Sequence, residues 1–173
     1  MRNLSIPVGV SDFAEIRRNG YYYIDKSGLI GELLGATGTK VTLITRPRRF
    51  GKSLTLSMLQ HYYDVRTRDK FDALFGDLYI GKHPTPDRNT YLVLKLNFSG
   101  ISGELHNYRQ GLDAHCQTMF DYFCDIYADY LPQGIKKKLD EKSGAIEQLE
   151  YLFTECNKTE QKIYLFIDEY DHF

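Results

Sequence analysis

The chain has 173 residues, 42% apolar and 26% charged, a composition that suits a folded globular chain able to bury one core. Its net charge of -1 gives no electrostatic case for nucleic acid or an anionic membrane as the partner of this segment. No apolar run reaches the roughly 20 residues of a membrane span, the N-terminus lacks a signal-peptide core, and Cys116, Cys124 and Cys156 form no close pair, so a cytoplasmic protein with reduced thiols is expected.

Residues 1–24 read as an irregular arm, with Ser11 placed to cap a short helix carrying Phe13 and Ile16 and Asn19-Gly20 to break it. Residues 21–24 look extended. Asp25 or Ser27 can start the next helix, where Leu29, Ile30, Leu33 and Leu34 recur at helical spacing, and residues 35–39 turn the chain. Residues 41–45 are a short β-branched run, expected as a buried parallel strand. It leads into a loop at 46–52 and a helix over 52–63, with Leu54, Met58, Leu59 and Tyr62 on one side.

Residues 71–80 hold a short helical or turn segment, and residues 81–89, with Pro84 and Pro86, a surface loop. A second strand is expected over 91–98, apolar enough for burial on both faces. A long helical stretch follows over about 103–131, stopped by Pro132 and Gly134. Lys136, Lys137 and Lys138 read as a solvated helix face. Ser143 is placed to cap the helix of Ile146, Leu149, Leu152 and Phe153, with Glu147 in its first turns. Residues 163–167 are the third strong strand. Strands separated by helices imply a parallel sheet with right-handed crossovers in a three-layer α/β architecture. Fourteen tyrosines and ten phenylalanines against no tryptophan point to aromatic packing in that core.

Two segments carry chemistry. The first is Arg46-Pro47-Arg48-Arg49-Phe50-Gly51-Lys52-Ser53-Leu54, between a strand and a helix. A triphosphate needs amides aimed at its oxygens, a mobile cation and a hydroxyl for magnesium, usually supplied by Gly-x4-Gly-Lys-Ser/Thr. Gly51 lets the backbone approach, Lys52 would reach the β- and γ-phosphates, and Ser53 would ligate Mg2+. The first glycine of that pattern is replaced here by Arg46, followed by Pro47. The second segment, Ile163-Tyr-Leu-Phe-Ile-Asp168-Glu169, is an apolar strand ending in two carboxylates. Asp168 would complete the magnesium shell and Glu169 would polarise the attacking water.

A catalytic Glu beside a magnesium Asp resembles the additional-strand class of phosphate-loop proteins, which includes the AAA-type ATPases. The sheet order of that class is 5-1-4-3-2, with residues 41–45, 91–98 and 163–168 as strands 1, 2 and 3. Together with Ile6-Pro-Val-Gly-Val-Ser-Asp-Phe13 and Tyr22-Tyr-Ile-Asp25-Lys26-Ser, the two motifs are similar to those of the bacterial AAA-ATPase-like family. The Arg-Pro opening of the loop is typical of that family. The resemblance covers effectively the whole chain. It implies an ATPase domain often followed by a PD-(D/E)XK nuclease-like domain.

On this reading residues 1–39 form an N-terminal arm and helix. Residues 40–173 form the first portion of a phosphate-loop ATPase core, truncated after the acidic strand. The resemblance implies ATP and Mg2+ as ligands, a downstream module as partner, and homo-oligomerisation as an option. The expected activity is ATP hydrolysis that drives or gates the downstream module; the alternative is a nucleotide-dependent switch or scaffold that does not hydrolyse. Further candidates are Arg48 and Arg49 facing phosphates, and Asp25, Lys26, Phe13 or Tyr23 at the base pocket. Asn97 lies at a strand end, where a turn-forming role is expected over contact with water, and Asp171 is a third acid or a cap. His115 and Cys116 diverge on a helix, and no metal-ligand spacing links the histidines.

Overall fold

The computed structural model describes residues 5–35, 41–45, 50–100 and 108–169, which form two compact units, residues 1–90 and 91–173. In the first, helix α1 (Phe13–Arg18) starts where the Asp12 carboxylate accepts the Ala14 amide at 2.8 Å, and it stops at Asn19 before Gly20, whose φ is +63°. The cap is therefore Asp12 and not Ser11. Asp12 is the residue with extended φ and ψ directly before the first helical residue, which is where a capping side chain reaches the second amide.

Helix α2 (Gly28–Gly35) follows a turn in which Asp25 accepts the Ser27 amide at 2.8 Å. Helix α3 (Lys52–Tyr63) has the bounds its apolar spacing predicts, and it buries Leu56, Met58, Leu59, Tyr62 and Tyr63. A 3-10 turn (Val65–Lys70) then leads into α4 (Phe71–Phe75) and α5 (Tyr79–Lys82). The α5 start is held by the earlier turn: Asp25 accepts the Tyr79 amide and the buried Ser27 hydroxyl accepts that of Ile80.

The core of this unit is aromatic. Phe75 sits 4.8 Å from Phe13, 5.2 Å from Phe71 and 5.7 Å from Tyr62, ring centre to ring centre, and Phe13 meets the edge of Tyr23 at 5.4 Å. Edge and offset contacts of this kind add to plain area burial. Part of the aromatic bias in the composition is spent here.

The second unit is built on two parallel strands, β1 (Tyr91–Asn97) and β2 (Lys162–Asp168), in register from Tyr91 opposite Lys162 to Asn97 opposite Asp168. Strands 2 and 3 of the expected order thus stand side by side. Helices α6 (Tyr108–Ile126), α7 (Ile135–Asp140) and α8 (Ala145–Lys158) pack with them, burying Phe120, Phe123, Leu139 and Leu152. Tyr127, fully buried just past α6, accepts the Val93 amide at 2.9 Å, an amide deep in a strand that would otherwise lack a partner. Cys116, Cys124 and Cys156 are buried and unbridged. Burial pushes the thiols of Cys124 and Cys156 up to about 12 and about 11, so they stay protonated packing groups.

Two further expectations change. The start of α8 is not capped by Ser143 but by Gly144, with the Asp113 carboxylate of α6 accepting the Ala145 amide at 2.9 Å and Glu147 reaching back to the Ser143 amide at 3.0 Å. A distant acid has taken the place of the local hydroxyl, and it gains from the helix dipole as well. Second, residues 41–45 are not a buried strand. Among the described residues the sheet holds β1 and β2 alone, and Val41 and Leu43 are 84% and 65% exposed. A β-branched run becomes a strand only when a neighbour takes its amides and carbonyls. The architecture described is mixed α/β with a small parallel sheet.

Candidate functional site

The sequence places its two chemical segments in different units, and each has its own local geometry. Arg46, Pro47, Arg48 and Arg49 lie outside the described residues, as does Asp171. Phe50 is exposed, and Gly51 directly precedes α3 with φ +78°, in the left-handed region. A Cβ on Gly51 would meet nothing within 4 Å, so the requirement for glycine is conformational and not steric.

No side chain caps this end of α3, and no acid lies in its first turn. The first intrahelical bond runs from the Thr55 amide to the Gly51 carbonyl at 2.9 Å. The amides of Lys52, Ser53 and Leu54 therefore precede the helical ladder and carry the positive end of the dipole. Ser53 is exposed, while Lys52 and Leu54 are half-buried.

A cavity of about 260 Å³ opens beside Gly51. One wall is α3, through Leu54, Thr55 and Met58. The other is the arm, through Ile6, Tyr22, Tyr23 and Ile24, with Lys26 as the charged side chain. The cavity is mostly apolar, and at this volume it falls just below the roughly 300–1,000 Å³ of drug-sized sites.

The Tyr23 hydroxyl donates to the Met58 sulfur at 3.2 Å, tying arm to helix. Burial, with the Asp25 charge adding to it, pushes that phenol up to about 12, so it remains a donor. Of the residues expected at this pocket, Tyr23 and Lys26 line it, whereas Phe13 is buried behind Tyr23 and Asp25 is spent on the turns before α2 and α5.

Outside the lining, α3 and the residues before α1 share a polar cluster that the sequence reading did not single out. Ser57 Oγ accepts the Phe13 amide at 2.9 Å and donates to Asp12 Oδ1 at 3.3 Å, and His61 Nε2 lies 3.4 Å from the same oxygen. Ser57 and His61 are one turn apart on α3, a spacing that puts them on one face. Burial lowers the pKa of His61, more strongly than the Asp12 charge raises it. For Asp12 burial acts upward, but the Ala14 amide and His61 outweigh it and the carboxyl titrates below its ordinary value.

At the other segment, β2 ends at Asp168, which is buried, and Asp168 Oδ1 accepts the Glu169 amide at 3.0 Å. Glu169 has φ +53°, a backbone conformation uncommon for a residue with a side chain. Asn97, the register neighbour of Asp168, forms a turn, accepting the Ser99 amide at 2.9 Å, in line with the expected turn-forming role. His115 Nε2 lies 2.6 Å from the Asn97 carbonyl, which can only accept, so that nitrogen carries the proton. Nothing in the sequence spacing foretold that contact, because it joins a helix to a strand end.

Among the described residues no helix is long and apolar enough to cross a membrane. No solved structure matches the chain. A protein of Azotobacter chroococcum mcd 1, described as an uncharacterized protein in the vnfD 5′ region, is 33% identical over 109 residues; that match covers 58% of this chain and 18% of the relative. A family model described as Predicted AAA-ATPase matches residues 7–173, so the chain belongs to the AAA-ATPase-like family, whose membership implies a phosphate-loop fold and nucleotide binding.

Proposed function

We propose that the chain binds ATP with Mg2+ and hydrolyses it, and that turnover drives or gates a module elsewhere in the protein. The observation that carries this reading is the cavity beside Gly51, an apolar compartment adjoining a helix start that follows a left-handed glycine. A nucleotide is a flat apolar base joined to a polyanion, and those two features suit its two ends.

In this reading the amides of residues 51–54 and the Lys52 ammonium hold the β- and γ-phosphates, and the loop residues Arg46, Pro47, Arg48, Arg49 and Phe50 wrap them. Tyr22, Tyr23 and Leu54 take the base. Ser53 and Asp168 offer oxygen donors, the ligand type a hard cation prefers, and would hold Mg2+, which neutralises phosphate charge when bound. Glu169 accepts a proton from water as the water oxygen bonds to the γ-phosphorus and the bond to the bridging oxygen breaks, giving ADP and inorganic phosphate. The left-handed backbone at Glu169 supports a functional rather than a packing role, since such conformations persist where the surroundings enforce them.

The test is calorimetry with Mg-ATP on the full-length protein, followed by a phosphate-release assay. Lys52→Ala should weaken ATP binding by roughly 10- to 100-fold, the loss of a charge-assisted contact. Glu169→Gln should leave binding intact and slow turnover by roughly 10²- to 10⁴-fold. Binding insensitive to Lys52→Ala would refute the site. A wild type that binds but releases no phosphate would make the chain a non-hydrolysing switch.

A further inference from the structure

The cavity has two walls from distant parts of the chain, and something must hold them apart by the width of a ligand. The α3 wall carries Thr55 and Met58; the arm wall carries Ile16 of α1 and Tyr22 to Ile24 behind it. Asp12, Ser57 and His61 line neither wall. They join the two, with Ser57 between Thr55 and Met58 in sequence and Asp12 directly before α1.

The Asp12 Oδ1 atom does three things at once. It caps α1 through the Ala14 amide, receives the Ser57 hydroxyl and lies beside His61 Nε2. Ser57 Oγ closes the link by accepting the Phe13 amide, the next residue of the arm. Burial of Phe13 holds α1 against the unit's core, Arg17 Nε donates to the Leu74 carbonyl at 2.8 Å, and Tyr23 donates to Met58. Hydrogen bonds are directional, and this group adds two of them where α1 begins, between the arm and the middle of α3.

We propose that Asp12, Ser57 and His61 are positioning residues of the nucleotide site, a polar clamp that sets the arm at the spacing at which the cavity accepts a nucleobase. This inference rests on the nucleotide reading given above. The clamp touches no ligand. Its effect is expected at the base end, because the polar contacts of the Asp12, Ser57 and His61 side chains run among themselves and to the amides of Phe13 and Ala14, not to residues 51–54.

The separation gives a test with two ligands on the full-length protein, ATP and inorganic tripolyphosphate, each with Mg2+. Ser57→Ala removes both bonds made by Ser57 Oγ, and the dissociation constant for ATP should rise roughly three- to tenfold while that for tripolyphosphate stays put. Ser57→Thr keeps the hydroxyl and should restore ATP affinity. Asp12→Asn keeps an oxygen for the α1 cap and weakens the link to His61, so it should show the same selective loss to a smaller degree even if Ser57→Ala folds poorly.

Equal loss for both ligands, or no loss for ATP, overturns the clamp. If the wild type binds ATP in a manner sensitive to Lys52→Ala yet ignores the clamp variants, the clamp fails alone. If the wild type binds neither ligand, the nucleotide reading fails and the clamp with it.

Discussion

The two units hold their chemical residues by different means. In the first, the candidate phosphate-binding end of α3 is backbone: a left-handed glycine, the amides of the first helical turn and a helix anchored by the ring cluster around Phe75. In the second, Asp168 and Glu169 sit at the end of a ladder whose register, from Tyr91 opposite Lys162 to Asn97 opposite Asp168, fixes the carboxylates along the strand. A helix end tolerates small shifts of the whole helix, because its amides move together. A strand end does not, since a slip of one residue would turn Asp168 to the opposite face. Side-chain packing therefore positions the first segment and hydrogen-bond register the second.

Breaking each support should expose the difference. Phe75→Ala deletes the ring shared by Phe13, Phe71 and Tyr62, and should cost about 3–5 kcal/mol in stability, read by chemical denaturation of the full-length protein. A loss below about 1 kcal/mol would mean that the cluster is not what anchors α3. Tyr127→Phe keeps the ring and removes the acceptor for the Val93 amide, leaving a buried donor on β1 at a cost of about 1–3 kcal/mol. Hydrogen exchange at Val93 should quicken more than exchange within α3. Equal acceleration in both places would contradict independent support.

The parts legible in the sequence were those decided locally. The bounds of α3 followed from Leu54, Met58, Leu59 and Tyr62 at helical spacing, and both strands of the sheet followed from apolar runs that are their own signal. Phosphate chemistry dictates residue type, which made the family resemblance legible, and the family match over residues 7–173 bears out the family. What escaped was decided at long range. Asp113 caps α8 from α6, His115 reaches the end of β1, and Ser57 meets Asp12 across more than forty positions. Residues 41–45 show the converse: their composition favours a strand, yet among the described residues no paired neighbour makes them one.

The smallest expected effect concerns the clamp, and pH reads it. Burial lowers the pKa of His61, so the folded protein holds fewer protons there than the unfolded chain, whose imidazole titrates near 6.5. The stability linked to His61 is therefore fully present above about pH 6.5 and declines as pH falls below it. The groups facing the ring are Asp12 before α1, Arg18 of α1 and Asp64 after α3. Asp12, with its own pKa lowered, stays ionised until below the ordinary aspartate value of 3.8, so a loss between pH 6.5 and 5 belongs to the imidazole and not to the carboxylate.

His61 Nδ1 is buried without a hydrogen-bond partner among the described residues, and protonation would place an N–H there with nothing to accept it. The difference in melting temperature between wild type and His61→Gln should change over that interval and be flat above pH 7. Because Asp12 is half exposed and solvent screens the pair, the change should be a few degrees at most. A difference that stays constant from pH 7.5 to 5 would mean that His61 does not titrate in this window. It would leave Ser57 as the part of the clamp that joins arm to helix.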